Sequence, residues 1–281
     1  MSYTMLISAV ELARQLPAPN WIVLDCRHDL AKPDAGRADY GAGHIPNAQF
    51  AHLDTNLADH MPASDGVFHG RHPLPAIDAF IATLRRWGVN DDSQVVAYDA
   101  QGGMFAARLW WMLRWAGHEA VAVLDGGLPA WTALGLPLAT DAPSPAPGNL
   151  TLRPALVRTV GASDILAQPQ LKVLDARAPD RFRGENETLD PVGGHIPGAA
   201  NRFFKDNLLP DGRFKPAAQL RSELSALVRD PASAVMQCGS GVTACHNLLA
   251  LEVAGLPGAA LYPGSWSEWC SDPSRPVATG A

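Results

Sequence analysis

Residues 171–177 read Leu-Lys-Val-Leu-Asp-Ala-Arg, and residues 21–27, 150 positions earlier, read Trp-Ile-Val-Leu-Asp-Cys-Arg. Each is a short apolar run that ends in an aspartate, with an arginine two places on. The correspondence extends outward. Gly194-His195-Ile196-Pro197-Gly198-Ala199 answers Gly43-His44-Ile45-Pro46-Asn47-Ala48 at an offset of 151. Ala234-Val235-Met236-Gln237-Cys238 answers Val95-Val96-Ala97-Tyr98-Asp99 at 139, and Leu261-Tyr262-Pro263-Gly264 with Trp269 answers Val123-Leu124-Asp125-Gly126 with Trp131 at 138. Four blocks in one order, with loop-sized drift, identify a duplicated domain. The period is far beyond the roughly 20–45 residues of a stacked solenoid repeat.

Short apolar runs that end in an acid read as buried strands reaching a sheet edge. Ile22–Asp25, Val95–Tyr98 and Val121–Leu124 form one set, and Val173–Asp175, Ala234–Gln237 and Ala259–Leu261 the other. Between them Phe105–Leu113 and Ala244–Ala254 are apolar on most faces. Ala217–Val228 carries Leu220, Leu224, Leu227 and Val228 at helical spacing. Alternating strands and helices predict an α/β fold with two domains, each a mainly parallel sheet flanked by helices on both faces. The expected limits are 1–140, a proline-rich linker over 141–154 containing Pro143-Ser144-Pro145-Ala146-Pro147-Gly148, and 155–281.

A length of 281 residues suits about two domains. Lys plus Arg number 22 against 28 for Asp plus Glu, a net charge of −6 that argues against a nucleic-acid partner. No apolar run approaches the roughly 20 residues of a membrane span, and Met1–Leu12 lacks the basic start of a secretory signal. Four cysteines exclude a disulfide scaffold and suit a reducing cytoplasm. None shows the close pairing of a zinc or thioredoxin site, so no metal and no cofactor are expected.

The chemistry is expected in Gln237-Cys238-Gly239-Ser240-Gly241-Val242-Thr243-Ala244-Cys245, where a cysteine ends a strand, glycines follow and a helix begins. Carboxyl ends of parallel strands are where α/β sheets bind ligands. Glycine lets such a loop curl so that backbone N–H groups face the sulfur, and the helix N-terminus adds positive potential. In that setting a thiol, ordinarily of pKa about 8.5, becomes a usable nucleophile near neutrality. A buried structural cysteine beside a glycine turn is the competing reading, and the repeat weighs against it: the first half has Asp99 at the same strand end, followed by Gln101-Gly102-Gly103. One copy is expected to keep the chemistry and the other to be inactive.

Leu-Asp-Ala-Arg (174–177), Gly-His-Ile-Pro-Gly-Ala (194–199), Cys-Gly-Ser-Gly-Val-Thr (238–243) and Gly-Ser-Trp-Ser-Glu-Trp (264–269) together resemble the tandem-domain rhodanese-like sulfurtransferases, over essentially the whole chain. The resemblance implies an active C-terminal domain in which Cys238 takes a sulfane sulfur from a small-molecule donor, holds it as a persulfide and passes it to cyanide, a thiol or a thioredoxin-like acceptor. The neutral loop is similar to that of the 3-mercaptopyruvate branch. In the thiosulfate branch cations stand where Gly239 and Ser240 stand here, so thiosulfate:cyanide transfer is the alternative. The resemblance further implies that Gly239, Gly241, Val242 and Thr243 cradle the substrate, that Ser240 helps move a proton with His44 as its candidate partner, and that Arg181 binds the donor's anionic group. The branch's second arginine, before Gly-His-Ile-Pro, is absent. Glu185-Asn186-Glu187-Thr188-Leu189-Asp190 stands there instead, leaving Arg183 as the candidate substitute.

Two other classes compete with this one. A phosphatase of this fold needs an arginine six places after the cysteine to hold the phosphoryl group, and that place is Ala244. A non-catalytic binding module is disfavoured by the intact cysteine loop. Asp25 with Arg27, and Asp175 with Arg177, occur in both halves and are read as scaffold. Cys245, about two helical turns from Cys238, is read as core rather than as a resolving thiol. His60, His69 and His72, near Pro62 and Pro73, are read as turn or solvent residues. Trp266 and Trp269 suit either a pocket wall or the core.

Overall fold

A computed structural model describes residues 2–16, 18–59 and 66–281. The chain forms two compact units. The first contains residues up to Asp59, Pro75–Leu156 and Leu209–Phe214, and the second contains residues 66–74, Val157–Leu208 and Lys215–Ala281. Neither unit is one continuous stretch of chain. The proline-rich residues after 140 stay on the first unit, where the Gly148 and Leu150 N–H groups donate to the carbonyls of Arg85 and Val89 at 2.7 and 3.1 Å.

The first unit holds β1 (Leu6–Ile7), β2 (Trp21–Asp25), β3 (Gln49–Phe50), β4 (Gln94–Tyr98) and β5 (Val121–Leu124) in the order β1-β5-β4-β2-β3. The second holds β6 (Arg158–Thr159), β7 (Lys172–Asp175), β8 (Ala200–Asn201), β9 (Ala234–Gln237) and β10 (Ala260–Leu261) in the matching order β6-β10-β9-β7-β8. All neighbours run parallel. The central strands β4 and β9 are buried along their whole length, as strands covered by helices on both faces must be. Helices Ala106–Trp115 and Thr243–Val253 follow them, each with eight buried residues. The three central strands of each unit and both helices lie where the apolar patterning puts them. The two-residue edge strands β1, β3, β6 and β8 do not stand out in the sequence, because so short a segment shows no period.

The repeated residues do the same work in both halves. Arg27 grips Asp25 through Nε and Nη2 and reaches the Gly43 carbonyl at 2.7 Å; Arg177 grips Asp175 in the same way and reaches Gly194 at 2.6 Å. The two arginines thereby tie the end of a central strand to the Gly-His-Ile-Pro turn. His44 stacks on Tyr40 and His195 on Phe182, at centroid distances of 3.9 and 3.8 Å. Trp131 and Trp269 are buried and donate to the carbonyls of Pro137 and Pro276. No helix among the described residues is long and apolar enough to cross a membrane.

Candidate active site

Cys238 follows β9 directly and is 2 % exposed. The turn beyond it is held from behind by residues 264–269. The N–H groups of Trp266 and Ser267 donate to the carbonyls of Cys238 and Gly239, both at 3.0 Å, and Ser265 Oγ accepts the Cys238 N–H at 3.1 Å. On the opposite side of the turn the Ser240 N–H donates to the Cys238 sulfur at 3.4 Å. Val242 is the N-cap residue of the helix and Thr243 its first residue, so the positive helix end also faces the loop.

Gly241 has φ +76°, and a Cβ there would lie 2.4 Å from the Pro263 carbonyl oxygen. Both the left-handed backbone and the close approach require glycine. Gly241→Ala is expected to destabilise the protein by about 2 kcal/mol or more and to lower the alkylation rate of Cys238 in the fraction that folds. Denaturant titration and iodoacetamide kinetics would measure the two effects.

The first unit shows what this loop holds when no thiol is present. Asp99 follows β4 as Cys238 follows β9. Its Oδ1 accepts the N–H groups of Gln101 and Gly103 at 2.8 and 2.9 Å, and its Oδ2 those of Phe105 and Ala106 at 2.8 and 3.0 Å. Burial pushes this carboxyl up from its ordinary pKa, and the four amides pull the other way. The strand-end loop of the first half is therefore an anion nest filled by its own side chain.

Around Cys238 the structure gathers residues that sequence reading left apart. His72 Nδ1 is 2.7 Å from Ser240 Oγ, and both residues are buried. The strand of chain bearing His72 is docked closely. The Arg71 N–H donates to Ser267 Oγ at 3.1 Å, and Gly70, at φ +95°, would put a Cβ 2.6 Å from the Gly264 carbonyl oxygen. His72 is thus the histidine beside the loop serine, not the turn residue expected. His60 and Pro62 lie outside the described residues. His44, the sequence-based choice, is fully buried in the first unit, with its ring nitrogens 2.8 and 3.1 Å from the carbonyl oxygens of Tyr40 and Asp141. It has no face for a serine or a ligand. The two histidines of the repeat share a turn-building job, and that job consumes the ring.

Arg181, on the short helix Pro179–Arg183, binds Glu187 through Nε and Nη2 and reaches Asp190 at 3.3 Å. Arg71 pairs with Asp190. Although burial opposes it, Arg181 and the amides of Leu189 and Asp190 hold the Glu187 carboxyl below its ordinary pKa, while burial lifts that of Asp190 against the pull of Arg71. Arg183 is turned away from this cluster. It pairs with the exposed Glu185 at 2.7 Å and is 38 % exposed, so it does not stand in for a second arginine. Trp266 is core and floor at once: it is fully buried, donates to the Val192 carbonyl and lies 4.7 Å beneath the Arg177 guanidinium. The Cys245 thiol donates to the Gly241 carbonyl at 3.3 Å from a fully buried position, bracing the loop from the helix side.

Duplicated parallel sheets of order 1-5-4-2-3, a strand-end cysteine in one nest and an aspartate in the other define a class, and the comparisons agree on it. The rhodanese-like domain family model matches residues 8–134 and 161–272, and the chain belongs to that family. Among full-length relatives, the probable 3-mercaptopyruvate sulfurtransferase of Pseudomonas aeruginosa is 50 % identical over 286 residues, covering 100 % of both chains. The putative thiosulfate sulfurtransferase SseB of Mycobacterium tuberculosis is 43 % identical, over 98 % of this chain and 97 % of its own. The solved 3-mercaptopyruvate sulfurtransferase of Leishmania major superposes with a TM-score of 0.85 at 33 % identity, over 95 % of this chain and 74 % of that one.

Proposed function

We propose that this chain is a sulfurtransferase that moves a sulfane sulfur from 3-mercaptopyruvate to a thiol, thioredoxin-like or cyanide acceptor through a persulfide on Cys238. The observation that carries the reading is the contact between His72 and Ser240 beside the cysteine loop. In this reading the Cys238 thiolate attacks the donor's sulfur. An S–S bond forms, the S–C bond breaks, and its electron pair leaves on carbon as an enolate. That carbon must gain a proton to become the keto acid, and Ser240 backed by His72 supplies a route for it. The acceptor nucleophile then attacks the outer sulfur and Cys238 departs as thiolate. Arg181 holds the donor's carboxylate, and Gly239, Gly241, Val242 and Thr243 shape the nest. The first unit, its nest filled by Asp99, takes no part in bond making.

Thiosulfate is the alternative donor, since one relative bears that name. Its sulfite leaving group needs no proton on carbon, so the serine–histidine pair would have nothing to do. A binding module without chemistry would need neither the thiol nor that pair. The net charge of −6 argues against a nucleic-acid partner, and four buried free cysteines suit a cytoplasmic setting. Intact-mass measurement after incubation with each donor, with pyruvate and sulfite followed in parallel, tests the proposal. Cys238 is expected to gain one sulfur atom faster from mercaptopyruvate. Faster loading from thiosulfate would reassign the donor, and no gain from either would leave only the binding module.

A further inference from the structure

Gly239 is crowded by cations rather than by backbone. A Cβ built on it would lie 2.9 Å from Arg71 Nη2 and 3.6 and 3.7 Å from Arg181 Nη2 and Nη1. Two guanidinium groups therefore converge over the residue that follows the nucleophile, in the space a side chain would otherwise take. Their counter-charges lie on the inner side. The Asp190 and Glu187 side chains are 2 and 4 % exposed, whereas those of Arg71 and Arg181 are 27 and 20 % exposed. Glu187 occupies Nε and Nη2 of Arg181, and Asp190 occupies Nη1 of Arg71. Among the described residues, Nη2 of Arg71 and Nη1 of Arg181 donate no hydrogen bond. Each cation is thus gripped from behind and leaves one nitrogen of its fork beside Gly239, the residue after Cys238.

We propose that Arg71 is the second cation of the donor site, binding the donor's carboxylate jointly with Arg181 above Gly239 while Asp190 aims it there. The loop itself carries no cation between Cys238 and Thr243, so the positive charge an anionic donor needs is brought in from a segment more than a hundred residues away in sequence. A carboxylate bridging two guanidinium groups is held by charge-assisted hydrogen bonds of defined direction. The buried acids match the arginines charge for charge: Arg71, Arg177 and Arg181 face Asp175, Glu187 and Asp190. A balanced cluster of this kind suits a donor bearing a single carboxylate better than a compact dianion.

The proposal rests on the sulfurtransferase reading for the identity of the donor, but its geometry can be tested without turnover. Cys238 is alkylated with iodoacetate, which carries a carboxylate, and in parallel with iodoacetamide, which does not. Arg71→Gln is expected to slow iodoacetate about tenfold and to leave iodoacetamide within twofold, and to raise KM for mercaptopyruvate about tenfold with little change in kcat. Arg71→Lys, which keeps the charge and the ion pair to Asp190 but loses the fork, is expected to fall between wild type and Arg71→Gln. Arg183→Gln is expected to change neither alkylation rate. Equal slowing of both reagents in the Arg71 variants would make Arg71 a latch for its own segment and overturn the proposal, as would no change in either. Loss of selectivity for iodoacetate in a protein that never turns over mercaptopyruvate would instead keep the cation site and reject the sulfurtransferase reading.

Discussion

Cys238→Ser is expected to abolish sulfur transfer from every donor, a loss on the order of 10⁴-fold or more. The substitution is nearly isosteric at a site that is 2 % exposed, so the fold should survive. What is lost is the atom that forms the S–S bond: a hydroxyl is neither ionised near neutrality nor able to hold a sulfane sulfur. The Ser240 N–H that faces the sulfur at 3.4 Å would face an oxygen with no charge to receive. Intact mass should show no added sulfur after incubation with mercaptopyruvate or thiosulfate. Cys26→Ala and Cys270→Ala, at buried thiols outside residues 238–243, should still load one sulfur. Persistent loading in Cys238→Ser would move the nucleophile elsewhere.

His72→Asn is expected to lower kcat with mercaptopyruvate on the order of 10²-fold. The asparagine amide can occupy the place of Nδ1 and keep a hydrogen bond to Ser240 Oγ, now 2.7 Å from the ring, but it cannot exchange a proton. Loop geometry should therefore persist, and iodoacetamide should still alkylate Cys238 at close to the wild-type rate. Ser240→Ala should give a similar loss. The double variant should be scarcely worse than either alone, because the two residues act as one unit. With thiosulfate, whose leaving group requires no proton on carbon, the His72→Asn loss should be much smaller. Equal losses with both donors would make the pair a structural brace, and additive losses would separate the two residues.

The contrast between His44 and His72 shows where local sequence stops being informative. His44 lies in a motif that recurs at His195, and a motif shared by the half with the cysteine and the half without it marks a scaffold role; the stacking of His44 on Tyr40 and of His195 on Phe182 is the physical form of that role. His72 lies in a stretch with no period, between glycine and proline. What brings it beside Ser240 is the docking of residues 66–74 on the Gly264–Trp269 segment, although His72 and Ser240 are 168 positions apart along the chain. Arg71 was hidden for the same reason. Gly70 was the available sign, since its positive φ and close approach to Gly264 reveal a segment laid flat against another, but a glycine in a loop does not name its neighbour.

The amino-acid sequence alone determined the duplication, the central strands and their helices, the placing of Cys238 at a strand end and the scaffold role of each strand-end aspartate and the arginine two residues on. These follow from apolar periodicity, glycine and proline placement and interactions between close neighbours along the chain, all of which are written locally. Tertiary structure alone decided which histidine meets Ser240, which arginines stand over Gly239 and which carboxylates brace them. Those choices depend on how loops without any repeating pattern settle on a sheet edge. Their energies come from contacts between distant residues, which no local window of sequence contains.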